Sequence, residues 1–185
     1  IVATEWDNLF LIPSQVDLAG VEVELISKIG RENKLKRKLD KMTQAFDYIF
    51  LDTPPSLSLL TVNVFAYASE VVIPCQTHPY AFVALDELFD TIETIKEEIN
   101  PRIKIAGIVA TFFDQRTRVS QLILDKLKAH SRYQKILFDT VIRINTTIAE
   151  SAENGRPVIY YRRSSYGAYD YQCLADELAN RLPQS

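Results

Sequence analysis

Short apolar runs alternate along the chain with longer segments in which apolar residues recur at helical spacing. Each short run ends at turn-forming residues, and five runs predict strands: 8–13, 47–52, 70–75, 103–113 and 136–142. The second and third runs are apolar rather than alternating, which is typical of strands covered by helices on both faces. This order predicts an α/β fold, a doubly wound and mostly parallel sheet with helices on both faces.

The segments between the runs predict amphipathic helices. One apolar stripe precedes Asn100-Pro101, a second covers 119–127, and both are interpreted as core. A closing helix presents Tyr171, Leu174 and Leu178 on one face, and its opposite, polar face carries Asp170, Asp176, Glu177 and Asn180. The polar segment 146–157 is predicted to be a long loop or a short helix. No repeat or break in composition divides the chain, so 1–185 is expected to form a single domain.

Composition bears on three properties of the protein: its contacts with nucleic acid, its redox environment and its contacts with membranes. The chain has 185 residues, 47% of them hydrophobic, and a net charge of −3, so any nucleic-acid contact has to come from a local basic patch. Its two cysteines, Cys75 and Cys173, belong to no CxxC pattern, which favours a reducing cytoplasm over a disulfide-bonded or zinc-stabilised protein. No apolar run approaches the ~20 residues needed to cross a bilayer, so no membrane partner is expected.

The sharpest local motif is Tyr-Ile-Phe-Leu-Asp-Thr-Pro-Pro-Ser at 48–56. It places a carboxylate, Asp52, at the carboxyl end of an apolar run, where open α/β sheets bind ligands. An aspartate there can hold Mg²⁺ through its water shell while the metal bridges phosphates. Pro54 and Pro55 stiffen the following turn, and Ser56 or Ser58 can cap the next helix. The alternative is that Asp52 only terminates a strand.

Several blocks in order resemble the ParA/Soj group of partition ATPases, within the wider MinD/ParA deviant-Walker P-loop proteins. Besides 8–14 with 17–25, the matching blocks are Asp-Thr-Pro-Pro-Ser at 52–56, Val-Ile-Pro-Cys-Gln at 72–76, Phe-Asp-Gln-Arg-Thr at 113–117, and 145–150 with Gly-Arg-Pro-Val at 155–158. The resemblance covers nearly the whole chain. It implies a P-loop NTPase-like fold and an ATPase that positions a chromosome or plasmid.

The same resemblance implies the ligands and partners. It points to ATP and Mg²⁺, an ATP-dependent homodimer, nonspecific duplex DNA and a ParB-like stimulating partner, in a nucleoid-associated cytoplasmic protein. The loop Arg143-Ile144-Asn145 is implied as an adenine contact, and its alternative is an ordinary turn at a strand end. Arg116 and Arg118 are implied as DNA phosphate ligands. Where several relatives carry a DNA-contacting arginine, this sequence has threonine, at 147.

One departure limits the resemblance. The chain has five glycines and no GxxxxGK[ST] string, so the glycine-rich loop that cradles phosphates is missing. We therefore expect this chain alone to be inactive, and interpret it as a domain incomplete at its N-terminus. Two alternatives remain open: a MinD-like membrane-cycling ATPase, and a non-catalytic interaction module of the same fold.

Tyrosines near the C-terminus interleave with arginines. They lie at 160, 161, 166, 169 and 171, around Arg162 and Arg163. This pattern suggests a platform for stacking single-stranded nucleic acid. Because the spacing is irregular, the favoured interpretation is that these tyrosines pack and anchor loops.

Overall fold

The computed structural model describes residues 1–15, 17–42, 46–54, 56 and 58–182. They form two compact units, unit 1 (Ile1–Tyr67) and unit 2 (Ala68–Ser185), each described here by itself. No helix among the described residues is both long and apolar enough to cross a membrane.

Unit 1 consists of a small hairpin and short helices. Its elements are β1 (Val2–Ala3), β2 (Phe10–Leu11), α1 (Leu18–Leu25), a 3₁₀ turn (Arg31–Asn33), α2 (Lys34–Leu39) and α3 (Leu59–Tyr67). The buried Asn63 of α3 joins the helical part, since its amide donates to the Arg31 carbonyl at 2.8 Å and accepts from the Leu35 N–H at 3.1 Å. One buried amide thus satisfies backbone groups of two neighbouring elements.

Two predicted strands of unit 1 are wrong or shortened. The run 8–13 contributes only Phe10–Leu11, which pairs antiparallel with Val2–Ala3, and all four residues are exposed. The run 47–52 forms no strand, and Phe50 is 78% exposed. Apolar composition favours burial, but a strand also needs a neighbour for its backbone hydrogen bonds, and none of the described residues pairs with this segment.

Unit 2 alternates strands and helices. Its elements are β3 (Glu70–Gln76), α4 (Ala81–Glu98), β4 (Lys104–Phe113), α5 (Arg118–Ala129), β5 (Leu137–Arg143), α6 (Thr146–Glu153), α7 (Val158–Tyr161) and α8 (Tyr166–Arg181). The three strands form a parallel sheet in the order β3-β4-β5. This confirms the predicted strands 70–75, 103–113 and 136–142, the short helix within 146–157, and the α/β fold class.

The core of unit 2 lies against β4 and β5. Ile108 and Ala110 are 0% exposed, and Phe138 packs with Val109 and Ile142. A β-carbon on Gly107 would lie 2.4 Å from the Phe138 ring, so the ring sits where only glycine leaves room. Close packing of this kind fixes how β5 lies against β4.

Helix α8 covers the edge strand β5 with polar side chains. The Glu177 carboxylate accepts the N–H groups of Asp139 and Thr140 at 2.8 and 2.9 Å. Arg181 donates to the carbonyls of Ile136 and Leu137 at 3.1 and 2.8 Å. These bonds satisfy backbone groups at the start of β5 and seat α8 on the sheet.

Candidate functional site

The carboxyl ends of the three parallel strands of unit 2 are tied together by hydrogen bonds. Thr77, directly after β3, donates its N–H to the Thr111 carbonyl at 3.0 Å and its hydroxyl to the Phe112 carbonyl at 3.1 Å. The N–H of Ile144, directly after β5, donates to the Phe113 carbonyl at 3.0 Å. In open α/β sheets this edge is where ligands bind.

A buried hydroxyl pair fixes the start of α5 beneath this edge. Thr77 Oγ1 and Ser120 Oγ lie 3.1 Å apart, and both residues are buried. Ser120 Oγ also accepts the Asp114 N–H at 3.4 Å, while the Thr117 hydroxyl caps α5 by accepting the Ser120 N–H at 3.3 Å. The loop 114–117 is therefore held at both ends, which fixes the backbone position of Arg116.

Arg116 forms a forked ion pair with Asp114. Its Nε and Nη2 atoms donate to the two carboxylate oxygens, each at 2.9 Å, and its side chain is 83% exposed. The Arg116 side chain lowers the pKa of Asp114 to about 2. Arg118, the first residue of α5, is exposed and makes no ion pair with any residue the structure describes. The two arginines predicted to bind DNA thus lie close in the chain but differ in electrostatic setting.

Replacing Arg116 with alanine is expected to raise the pKa of Asp114 from about 2 toward its ordinary value, because the carboxylate loses the two side-chain donors of Arg116 and keeps only the backbone N–H of residue 116. The wild-type pair is intact at neutral pH and is lost only as the pH falls through the depressed pKa. Titration of the Asp114 carboxyl carbon by NMR measures this midpoint. Arg118→Ala is the matched control and leaves it unchanged; an unchanged midpoint in Arg116→Ala would contradict the assignment.

The predicted adenine loop is anchored through Arg143. The Asp170 carboxylate accepts the Arg143 N–H at 3.0 Å, its Nε at 3.0 Å and its Nη2 at 2.6 Å. The guanidinium also lies 4.3 Å from the ring centre of Tyr166. Because the guanidinium is held from two sides, Arg143 positions the loop that follows it.

Ile144 and Asn145 complete the loop in different ways. Ile144 is 55% exposed at the carboxyl edge of the sheet. The side-chain oxygen of Asn145 accepts the Thr147 N–H at 2.8 Å and caps α6, and its side-chain N–H₂ has no acceptor among the described residues. Thr147 itself is 5% exposed, so the position where relatives carry a DNA-contacting arginine does not face solvent in this chain.

Asp52 and Pro54 lie in unit 1, before α3. Asp52 is exposed at the end of the non-strand segment. Ser58 caps α3, as predicted, since its hydroxyl accepts the Leu60 N–H at 3.2 Å, and the Thr61 hydroxyl donates to the Ser56 carbonyl at 2.6 Å. Pro55, the second proline of the predicted turn, lies outside the described residues.

The residues present supply only part of a magnesium site. Among the described residues no three His, Cys, Asp or Glu side chains gather closely enough to hold a metal ion. One exposed carboxylate fits a water-mediated contact to Mg²⁺, but the ion also needs phosphate oxygens, and the sequence lacks the glycine-rich loop that would hold those phosphates.

Asp170 is a residue of the candidate site that sequence reasoning missed. We assigned it to the polar face of the closing helix, and that assignment is wrong, because the residue is 4% exposed and holds Arg143. The signal was its spacing: Asp170, Leu174 and Leu178 lie four residues apart and share one helical face. An acid on an apolar face indicates a buried partner.

Comparisons with known proteins place the chain in a family. A family model described as an AAA domain (AAA_31) matches residues 1–105. The chain is 38% identical over 179 residues to the sporulation initiation inhibitor protein Soj of Bacillus subtilis, covering 97% of this chain and 70% of Soj. It is 36% identical over 178 residues to the chromosome partitioning protein ParA of Myxococcus xanthus, covering 96% of this chain and 62% of that protein.

Solved structures of other proteins are also similar to this chain. Cobyrinic acid a,c-diamide synthase from Mycobacterium smegmatis with bound ADP and magnesium is 36% identical, with a TM-score of 0.59 over 64% of this chain and 49% of that chain. The Pyrococcus furiosus cell division ATPase MinD is 20% identical, with a TM-score of 0.75 over 98% of this chain and 69% of that chain, and shows the shared fold. The chain therefore belongs to the AAA_31 family, among the Soj and ParA partition ATPases.

Proposed function

We propose that this chain is part of a DNA-partitioning ATPase. In this proposal the intact protein binds ATP with Mg²⁺, dimerises on ATP, and holds nonspecific duplex DNA at the nucleoid until a ParB-like partner stimulates hydrolysis. The observation that carries the proposal is the 38% identity to Soj across 97% of the chain. Because the chain spans 70% of Soj and 62% of the Myxococcus ParA, the activity belongs to the intact gene product.

The loop after β5 is proposed as the adenine contact. The exposed Ile144 side chain offers an apolar surface to the base, and the Asn145 side-chain N–H₂ is a donor suited to a ring nitrogen. Arg143 and Asp170 are positioning residues. Their ion pair fixes the backbone from which Ile144 and Asn145 extend. The chain therefore supplies base contacts from a preorganised loop.

Asp52 is proposed to contact Mg²⁺ through water, and Pro54 to stiffen the turn beside the γ-phosphate. When bound, Mg²⁺ neutralises charge on the phosphates. The 185 residues contain no GxxxxGK[ST] loop, so the chain alone lacks the backbone N–H groups and the lysine that hold them. We expect ATP hydrolysis from the intact gene product and none from this chain by itself.

Arg116 and Arg118 are proposed as DNA phosphate ligands. Both side chains are exposed beside the start of α5, and contacts of this kind need charge rather than base readout. The carboxylate of Asp114 offsets the charge of Arg116, whereas Arg118 has no such partner among the described side chains. Arg118 should therefore contribute more to DNA affinity.

The intact gene product is expected to bind duplex DNA of arbitrary sequence with Mg-ATP and much more weakly with Mg-ADP. Fluorescence anisotropy across a salt series measures this, and Arg118→Ala should lower the slope of log K against log salt by about one, with a smaller change for Arg116→Ala. Arg102→Ala, an exposed arginine before β4 at the opposite end of the sheet, is the matched control.

If duplex DNA binds with neither Mg-ATP nor Mg-ADP, the DNA proposal is overturned. The MinD-like membrane-cycling ATPase is then the favoured alternative. Binding of vesicles containing anionic lipid, with ATP but not ADP, would then support that alternative. If neither DNA nor vesicles bind, and the intact gene product hydrolyses no ATP, the non-catalytic interaction module becomes the better reading.

A further inference from the structure

The segment 154–169 is basic and aromatic and contains no acidic residue. It carries Arg156, Arg162 and Arg163 together with four tyrosines, whereas the chain as a whole is acidic, with a net charge of −3. Asp170, which follows directly, is buried against Arg143 and does not offset these charges. The segment therefore forms a local positive region on unit 2.

Three of the four tyrosines of this segment are exposed, and so is Tyr171 just beyond it. Tyr166 and Tyr169 are 68% and 65% exposed, and Tyr160 and Tyr171 are 47% and 42% exposed. These four rings therefore do not lie in the core, although Tyr166 does contact the guanidinium of Arg143. Tyr160 lies on α7 and the other three on α8, which explains why their spacing does not follow one helix face. The structure brings two of them, Tyr160 and Tyr169, to one groove.

Two of these rings line a shallow groove together with an arginine. The tyrosine–arginine groove lies along α7 and α8 and is lined by Ile159, Tyr160, Arg163, Ala168, Tyr169 and Gln172. The Arg163 guanidinium lies 5.9 Å from the ring centre of Tyr160. Tyr166, one turn before Tyr169 on α8, has Arg143 against one part of its ring and remains largely open.

The arginines beside the groove form no ion pair with any described carboxylate. Arg156, Arg162 and Arg163 are exposed, and no carboxylate of the described residues lies within ion-pair distance of them. Exposed aromatic faces next to unpaired cations match a ligand that carries both flat rings and negative charge. An acidic peptide would satisfy the charges but leave the aromatic faces without a matching partner.

We propose that the tyrosine–arginine groove binds single-stranded nucleic acid. Unpaired bases stack on Tyr169 and Tyr160, and the backbone phosphates pair with Arg163 and Arg162. A duplex fits less well, because its bases already stack on one another and offer no free face to the tyrosine rings. This activity goes beyond the proposed function: it needs no ATP and lies away from Arg116 and Arg118 in the chain, so either proposal can fail without the other.

The test uses the intact gene product without nucleotide. Labelled oligothymidylate and oligouridylate of about 20 nucleotides, and a duplex of equal length, are titrated at low salt with fluorescence anisotropy as the readout. We expect at least one single strand to bind about tenfold more tightly than the duplex. The two oligomers distinguish a preference for DNA from one for RNA.

Variants then separate stacking from charge. Tyr169→Ala is expected to weaken single-strand binding at least about fivefold, while Tyr169→Phe, which keeps the ring, stays close to wild type. Arg163→Gln should weaken binding and reduce its salt dependence. Tyr80→Ala and Lys96→Gln, an exposed tyrosine and an exposed lysine at α4, are the matched controls. Equal binding of duplex and single strand, wild-type affinity in Tyr169→Ala, or no binding of either oligomer would overturn the proposal.

Discussion

Replacing Asp170 with alanine is expected to lower the free energy of unfolding of unit 2 by about 3 kcal/mol. The carboxylate is 4% exposed as a residue and accepts three hydrogen bonds from Arg143. Removing it leaves a guanidinium, itself only 28% exposed, without its counter-charge, and leaves the Arg143 N–H without its acceptor. Because Arg143 keeps some contact with water, we place the loss at the lower end of the range for broken buried pairs.

Urea denaturation followed by far-UV circular dichroism measures this loss. Asp176→Ala removes an exposed carboxylate from the same helix and is expected to change the free energy of unfolding by less than about 0.5 kcal/mol. Combining Asp170→Ala with Arg143→Met should cost less than the sum of the single changes, since the second removes the stranded charge. A loss below about 1 kcal/mol in Asp170→Ala would show that the ion pair does not hold the loop.

Replacing Phe138 with alanine is expected to destabilise unit 2 by about 4 kcal/mol. The ring is 1% exposed, packs on Val109 and Ile142, and fills the space above Gly107. Its other contacts include the Arg181 guanidinium, 4.0 Å from the ring centre. Truncation therefore opens a cavity between the sheet and α8, and surrounding groups cannot fill it without moving a strand.

Phe112→Ala is the matched control for the Phe138 change, since the same side chain is removed from an exposed site. Phe112 is 61% exposed and has a φ of 52°, a left-handed conformation that does not favour a large side chain. Its removal is expected to change the free energy of unfolding by less than about 0.5 kcal/mol in the same urea experiment. Comparable losses in the two variants would contradict the assignment of the core to the α8 side of β5.

The sequence predicted the elements of unit 2 well for a physical reason. The three strands form one local sheet, and each contributes apolar residues to the core, among them Ile73, Ile108 and Phe138. In unit 1 the same kind of run, 47–52, failed as a strand prediction, because no described residue supplies the pairing that an apolar composition cannot provide by itself. In unit 2 the apolar runs of the sequence become paired strands, whereas in unit 1 the apolar run 47–52 does not.

The candidate site was predicted in part. The sequence drew attention to Arg143, Ile144 and Asn145 through a family resemblance, and the comparisons establish that family. It did not reveal that Arg143 is held by Asp170, because that ion pair depends on how the end of β5 meets α8. Nor did it reveal that Arg116 is held by Asp114, because that pair depends on the conformation of the loop that contains both residues. The roles of these residues in binding nucleotide and DNA stay predictions for the experiments above.

By itself, the sequence determined the α/β class, the three parallel strands, the helices between them and membership among the Soj and ParA ATPases. These follow from periodicity and ordered motifs, which are local properties of the chain. Only the tertiary structure decided that Asp170 is buried, that Arg118 rather than Arg116 keeps an unpaired charge among the described residues, and that four tyrosines face solvent. Burial of Asp170 and its pairing with Arg143 depend on contacts between residues far apart in sequence, and the pairing of Arg116 with Asp114 depends on the conformation of their loop.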